Sequence, residues 1–166
     1  IGAMPKEAFA SLNKTFFKPS ERSRQNITEK QALENLYKLT KERGFTFPER
    51  LQKAFHTSLK TSDTSCLTVM AGVSGTGKSA FPKMYAASMG FYFLPLAVEP
   101  RWDSPQDLFG FLNYMENRFE STTLARSLIQ FNDAPHSNEN ANLKDNLLIV
   151  MLDEMNLARI EYYFSE

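Results

Sequence analysis

Eight consecutive residues concentrate the chemistry of this chain: Gly72-Val-Ser-Gly-Thr-Gly-Lys-Ser79. The pattern Gly-x4-Gly-Lys-Ser is that of a phosphate-binding loop. Its glycines let the backbone curl so that successive N–H groups face an anion. A helix following the loop adds unpaired N–H groups and the positive end of its dipole. Lys78 would then reach the β- and γ-phosphates of a nucleoside triphosphate, and the Ser79 hydroxyl is a hard oxygen ligand suited to Mg²⁺. The candidate nucleotide contacts are Gly72, Val73, Ser74, Gly75, Thr76, Gly77, Lys78, Ser79 and Ala80. The competing reading is a structural glycine turn that happens to contain Lys-Ser. A second constellation is Asp153-Glu154, directly after the apolar run Leu147-Leu-Ile-Val-Met-Leu152. An apolar strand ending in two carboxylates is the Walker B pattern. It makes Asp153 a metal ligand alongside Ser79 and Glu154 the group that orients or deprotonates an attacking water. Lys78 and Glu154 are thus the candidate catalytic residues; the alternative for the acidic pair is a solvated strand end.

The flanking elements decide whether these residues can be positioned. Cys66-Leu-Thr-Val-Met-Ala71 is a short apolar run of strand type before the glycine loop, and Ala80 to Met89 reads as a helix ended by Gly90. Phe91 to Val98 is a second apolar run, whose Pro95 argues for an edge position or a strand end. Ser104-Pro-Gln-Asp107 opens a helix by N-cap and N1 proline, expected to continue towards Phe119. Thr122 to Phe131 is a shorter helix, and Asn132 to Asn146 is polar, Asn-rich and expected to be a mobile loop. Leu147–Leu152 suits a strand buried on both faces. Upstream, Thr28-Glu-Lys-Gln31 is a capping box opening a helix to about residue 43, with Gly44 at its end. Thr46-Phe-Pro-Glu49 opens another, with Leu51, Ala54, Phe55, Ser58 and Leu59 on one face. Strand, glycine loop, helix, strand, helices, strand is an alternating α/β order with a parallel sheet. The expected organisation is a polar linker over 1–25, a helical lead-in over 26–60 and the nucleotide-binding core over 61–166.

Composition narrows the function. Lys and Arg number 19 and Asp and Glu 19, so the formal net charge is zero and bulk charge would not coat nucleic acid. A hydrophobic content of 42% with 23% charged residues excludes disorder throughout. A single cysteine, Cys66, excludes an intramolecular disulfide and a Cys-based zinc site. It reads as a small buried hydrophobe. His56 and His136 stand far apart without evident partners and read as solvated. No apolar run approaches the roughly 20 residues that span a bilayer, and no signal-peptide pattern opens the chain. A soluble, cytoplasmic protein without membrane contact is expected. The chain begins at Ile1 and ends at Glu166 within an amphipathic stretch, so it is expected to be a fragment of a longer protein.

Gly72–Ser79 together with Leu152-Asp-Glu-Met-Asn-Leu-Ala-Arg159 resembles an AAA+ ATPase module, and within AAA+ the McrB-like branch of restriction motors. Asp153-Glu-Met-Asn156 is similar to that branch's Asp-Glu-Ile-Asn element, and Asp107-Leu-Phe-Gly110 to its Asp-Leu-x-Gly element. The resemblance covers about residues 45–166. It implies a P-loop NTPase fold of three α/β/α layers, ATP or GTP with Mg²⁺, and a hexameric ring in the full-length parent acting on nucleic acid or protein. The family's sheet order is 5-1-4-3-2. Strand 4, strand 5, the sensor, the arginine finger and the lid would lie beyond Glu166, so the chain is expected to be an incomplete AAA+ core that turns over slowly by itself.

The resemblance also suggests roles outside the loop. Trp102, in Arg101-Trp-Asp103, would grip a substrate strand by stacking; a Trp covering a core edge is the favoured alternative. Phe45, Phe47 and Pro48 would form a base-stacking wall or a hydrophobic staple between helices. Asn156 and Arg159 would touch a neighbouring subunit or the γ-phosphate side, or be surface caps. Lys6, Lys14, Lys18, Arg22 and Arg24 read as a basic, solvated linker. Two rival functions remain at this point. A small-molecule kinase of the gluconate-kinase type has a similar glycine loop, and a nucleotide-gated module would bind without turnover.

Overall fold

The computed structural model describes residues 8, 28–61, 63–133, 143 and 146–164. The expected linker over 1–25 (Ala8 apart), His136 and most of the Asn-rich loop lie outside them. The chain divides into two compact units, Arg24–Phe93 and a second containing Leu94–Glu166.

The first unit is built from α1 (Glu29–Glu42), α2 (Glu49–Lys60) and α3 (Ala80–Met89). The capping box at the start of α1 is formed as expected. Thr28 Oγ1 accepts from the Gln31 N–H at 3.3 Å, and Gln31 Oε1 accepts from the Thr28 N–H at 2.9 Å. The helix ends at Gly44, whose N–H donates to Lys41 O at 3.0 Å while that of Phe45 donates to Thr40 O at 2.8 Å. This paired closure is a Schellman motif, which satisfies the last carbonyls and turns the chain back on the helix. The expected box at Thr46 is absent. Pro48 occupies the N-cap of α2 without a side-chain cap, because the extended Thr46-Phe47 segment is held instead by Gln52 Nε2, which donates to Phe47 O at 3.0 Å. The buried face of α2 accordingly carries Gln52 and Phe55, while Leu51 is exposed.

Aromatic rings fill the core of this unit. Phe81 meets Phe47 and Phe55 edge-on at centroid distances of 4.8 and 5.2 Å, and Phe55 meets Tyr85 at 5.0 Å. With Leu36, Met84 and Ala86 these rings are almost fully buried, apart from the half-buried Phe47. Each fully buried side chain contributes about 1.5–3 kcal/mol of transfer free energy. This aromatic core fixes α3, and with it the loop at its N-terminus.

The apolar run Cys66–Ala71 is not a strand. Leu67 and Val69 are exposed, and Cys66 is exposed rather than buried. Strand geometry is stable only where a neighbour completes the ladder, and among the described residues no strand pairs with this run.

β1 (Tyr92–Ala97), of which Leu94–Ala97 belong to the second unit, and β4 (Leu148–Asp153) form a two-stranded parallel sheet, giving an α/β architecture. Pro95 is exposed within β1, as suits an edge. Leu94, Val98, Leu108, Leu124 and Tyr163 make the core, with Leu148, Val150 and Leu152 packed against it.

The helix expected from Ser104 to Phe119 stops early. It is α4 (Pro105–Phe109), followed by a hairpin of β2 (Gly110–Asn113) and β3 (Arg118–Ser121). The strands are antiparallel, with Leu112 opposite Phe119 and Gly110 opposite Ser121. The start of α4 is as expected: the Asp107 carboxylate accepts from the N–H groups of Asp103 and Ser104 at 3.0 and 3.2 Å. What ends it is the close approach of Gly110 to β3. Gly110 has φ +107°, and a Cβ there would clash with the Glu120 carbonyl oxygen. The Asp107-Leu-Phe-Gly110 element thus has a structural role, in which Asp107 caps, Leu108 fills the core and Gly110 admits the facing backbone. At the hairpin turn, Asn113 Oδ1 accepts from the N–H groups of Met115 and Glu116 at 3.1 and 3.3 Å, leaving Tyr114 and Met115 exposed. Helix α5 (Thr123–Asp133) follows, and after β4 come a 3₁₀ turn (Met155–Leu157) and α6 (Ile160–Tyr163).

Candidate functional site

The glycine loop occupies residues 72–79 and leads into α3 at Ala80. The loop is exposed from Gly72 to Thr76, while Gly77 and Lys78 are half-buried. Its shape is held from within. The Val73 carbonyl accepts from Thr76 Oγ1 at 2.9 Å and from Lys78 Nζ at 2.6 Å. The Gly77 carbonyl accepts from the Phe81 N–H at 2.9 Å, joining the loop to the first turn of α3. Gly77 has φ +83°, and a Cβ there would lie 3.0 Å from the Phe47 ring and 3.1 Å from that of Phe45. Those two rings stack at 5.6 Å, with 7° between their planes. The Schellman turn after α1 and the edge contact of Phe47 with Phe81 put both rings there. Phe45 and Phe47 thus lie beside the glycine loop, and Phe47 also packs on Phe81 in the helical core.

A loop of this kind can hold an anion. It leads into a ten-residue helix, whose N-terminus is the positive end of the dipole, and it carries one ammonium. That ammonium rests on the Val73 carbonyl, a neutral acceptor that a phosphate oxygen outcompetes by charge.

Asp153 and Glu154 belong to the other unit. Asp153 closes β4, and its carbonyl accepts from the Val98 N–H at 3.0 Å. Glu154 is exposed and has φ +57° and ψ +43°, a left-handed conformation. That region is rare for residues other than glycine, and strained positions concentrate at functional sites. Two hydrogen bonds just downstream secure the conformation. Leu157 N–H donates to Glu154 O at 2.9 Å, and the buried Tyr163 hydroxyl donates to Met155 O at 3.1 Å. Burial pushes the Tyr163 hydroxyl above its ordinary pKa, which keeps it a donor. Trp102 packs edge-on against Tyr163 at 5.4 Å and is half-buried, the core-edge position. Asn156 is exposed in the 3₁₀ turn, and Arg159 Nη1 donates to the Tyr162 hydroxyl at 2.9 Å.

No protein-family model matches the chain, and no curated protein is significantly similar to it. Among the described residues, no group of three or more His, Cys, Asp or Glu side chains could hold a metal ion, and no helix is long and apolar enough to cross a membrane.

Sequence reasoning missed one polar constellation. His56, read as solvated, has a largely buried ring: Nδ1 lies 2.6 Å from Tyr85 Oη and Nε2 2.8 Å from Glu29 Oε1. Lys60 Nζ donates to Glu29 Oε2 at 2.7 Å. The hydrogen bond from Lys60, then that from His56, holds the Glu29 carboxyl below the usual range. Burial, reinforced by the Glu29 charge, pushes Tyr85 up to about 12. Tyr85 is 2% exposed, so the hydroxyl end of this carboxylate–imidazole–hydroxyl chain is closed to a substrate. It joins α1, α2 and α3 instead. Its partners come from three separate helices, and no spacing in the sequence announces that.

Proposed function

We propose that the chain binds a purine nucleoside triphosphate, ATP or GTP, through residues 72–80, and that it is an NTP-hydrolysing module of AAA+ type with a P-loop NTPase fold. The observation that carries this reading is the glycine loop itself. The full Gly-x4-Gly-Lys-Ser pattern leads into a helix N-terminus, with Lys78 inside the loop and two stacked phenylalanine rings against Gly77. Lys78 neutralises charge on the β- and γ-phosphates, and the rings of Phe45 and Phe47 offer an apolar surface to the base. Ser79 would offer a hard oxygen donor of the kind Mg²⁺ takes, as would Asp153, and bound Mg²⁺ would supply further charge neutralisation. Glu154 orients or deprotonates the attacking water, a contribution of roughly 10²–10⁴ in rate. Its left-handed backbone supports a functional rather than a purely structural role.

The test is calorimetric titration of the chain with ATP and GTP in the presence of Mg²⁺, repeated on Lys78→Ala. Binding by the wild type and its loss in the variant are expected. Equal affinity in both would remove the loop from the site. Phosphate release by Glu154→Gln, in a form of the protein that turns over, tests the hydrolytic role. Retained nucleotide binding with turnover reduced by roughly 10²-fold or more is expected.

A further inference from the structure

Because β1 and β4 are parallel, their carboxyl ends lie at one edge of the sheet, and the segments leaving them border a common cleft of about 420 Å³. Its walls include Arg101, Trp102 and Asp103 after β1, and Leu157, Arg159 and Tyr162 after β4. The crevice beyond the carboxyl ends of parallel strands is where open α/β sheets commonly take ligands, and the volume falls within the range of ligand sites.

The chemistry of the lining is specific. Arg159 lies over the Tyr162 ring, its guanidinium carbon 5.5 Å from the centroid, and donates to that residue's hydroxyl. The two contacts tie the guanidinium to Tyr162, and its hydrogen bond goes to a neutral hydroxyl rather than to a carboxylate. Tyr162 and Leu157 are both 47% exposed, so apolar surface remains open beside it. Arg101 pairs with Glu99 at 2.7 Å at the rim and keeps most of its surface in solvent. Asp103 adds an acceptor. The cleft therefore presents planar faces, a cation held by a neutral partner and a second cation at the rim.

We propose that this cleft binds single-stranded nucleic acid, seating a base on the Arg159–Tyr162 stack and the adjoining phosphates on Arg159 and Arg101. Unpaired bases stack on aromatic rings and guanidinium planes, and a strand supplies phosphate charge next to each base. An acidic peptide would use the guanidinium groups but leave the flat faces without a partner, and a duplex hides its base faces. The zero net charge of the chain limits binding to this local patch, so salt dependence is shallow, of the order of one or two released counterions. None of these residues belongs to the glycine loop, so the two binding reactions succeed or fail separately.

Trp102 is the one tryptophan of the chain, so its emission reports on the cleft directly. The full chain is titrated with a twelve-residue oligothymidylate, thymidine monophosphate, a duplex of the same length and polyglutamate. Anisotropy of a labelled oligonucleotide gives a second readout. A saturable change in Trp102 emission with the oligothymidylate is expected, with weaker binding of the other three. Arg159→Ala and Tyr162→Leu should each weaken it about tenfold, the size of one lost stack or charged contact. Both residues are exposed, and far-ultraviolet circular dichroism checks that each variant folds; either variant alone suffices. Absence of oligonucleotide binding overturns the proposal, as does binding that survives both substitutions. Equal affinity for polyglutamate would show a general anion patch, for the monophosphate a mononucleotide site, and for the duplex a backbone-only contact. Each of these also overturns the assignment.

Discussion

Replacing Tyr85 by phenylalanine removes one oxygen from the packing of α3 and leaves the ring in place. In the folded chain that oxygen faces His56 Nδ1 at 2.6 Å. The Glu29 carboxylate only accepts, so His56 Nε2 carries the proton; in the neutral ring Nδ1 then accepts from the Tyr85 hydroxyl. The variant leaves a largely buried nitrogen without its partner, at a cost of about 1–3 kcal/mol. The sign changes at high pH. Tyrosine in an unfolded chain titrates near 10, whereas Tyr85 is pushed up to about 12 in the folded one. The folded state therefore holds this proton more tightly. The stability it contributes is complete below pH 10 and is lost as pH rises from 10 through 12. Two units at about 1.4 kcal/mol each make that loss about 2.7 kcal/mol. Urea unfolding followed by circular dichroism at pH 7, 9, 11 and 12 measures it. Other tyrosines and the lysines titrate in both proteins and cancel in the comparison. Tyr85→Phe should be less stable than wild type at pH 7, and the gap should close or reverse by pH 12. A gap that stays constant from pH 9 to pH 12 would refute the reasoning.

Four further outcomes are expected. Gly110→Ala forces a side chain into the Glu120 carbonyl at a positive φ, so the β2–β3 hairpin should be lost or displaced, visible as fast amide exchange at residues 110–121. Thr28→Ala removes the α1 cap and should lower the stability of the first unit by about 1 kcal/mol, measured by thermal or urea unfolding. Glu154→Gly relieves a left-handed backbone and should stabilise the fold by several tenths of a kcal/mol to about 1 kcal/mol. If nucleotide is hydrolysed, the same change should abolish turnover, and a variant both more stable and fully active would refute the proposed role. Acidification below about pH 4 should weaken the contacts among α1, α2 and α3: Glu29 has a lowered folded value, so its contribution exists above its unfolded pKa and vanishes as pH falls through the folded one.

The elements legible in the sequence are those whose determinants are local. Thr28 and Gln31 announce α1, Ser104 and Asp107 announce α4, Gly90 ends α3, and six apolar residues before two carboxylates mark β4. The glycine loop is legible for the same reason, since its chemistry sits within eight residues. Elements set by distant partners are not. Cys66–Ala71 has strand composition, but composition does not supply a neighbouring strand. Gly110 falls inside the helix expected from Ser104 towards Phe119, and what ends that helix, the facing backbone at Glu120, is distant in sequence. His56 reads as solvated because Tyr85 and Glu29 stand on other helices. Tyr162 lies three residues after Arg159, the N-cap of α6, and that short spacing is the available hint of the cleft.

The open run at Cys66–Ala71 gives the molecule a built-in reporter. Its sulfur is the chain's one thiol and stands at the start of the run, exposed to solvent. While no strand pairs with this segment, the thiol should be alkylated at nearly the rate of a free peptide, and its amides should exchange without protection. Any partner that completes a ladder there would slow both together, without a label having to be introduced. The rate of a simple alkylation thus becomes a continuous measure of how far a ladder has formed on this run.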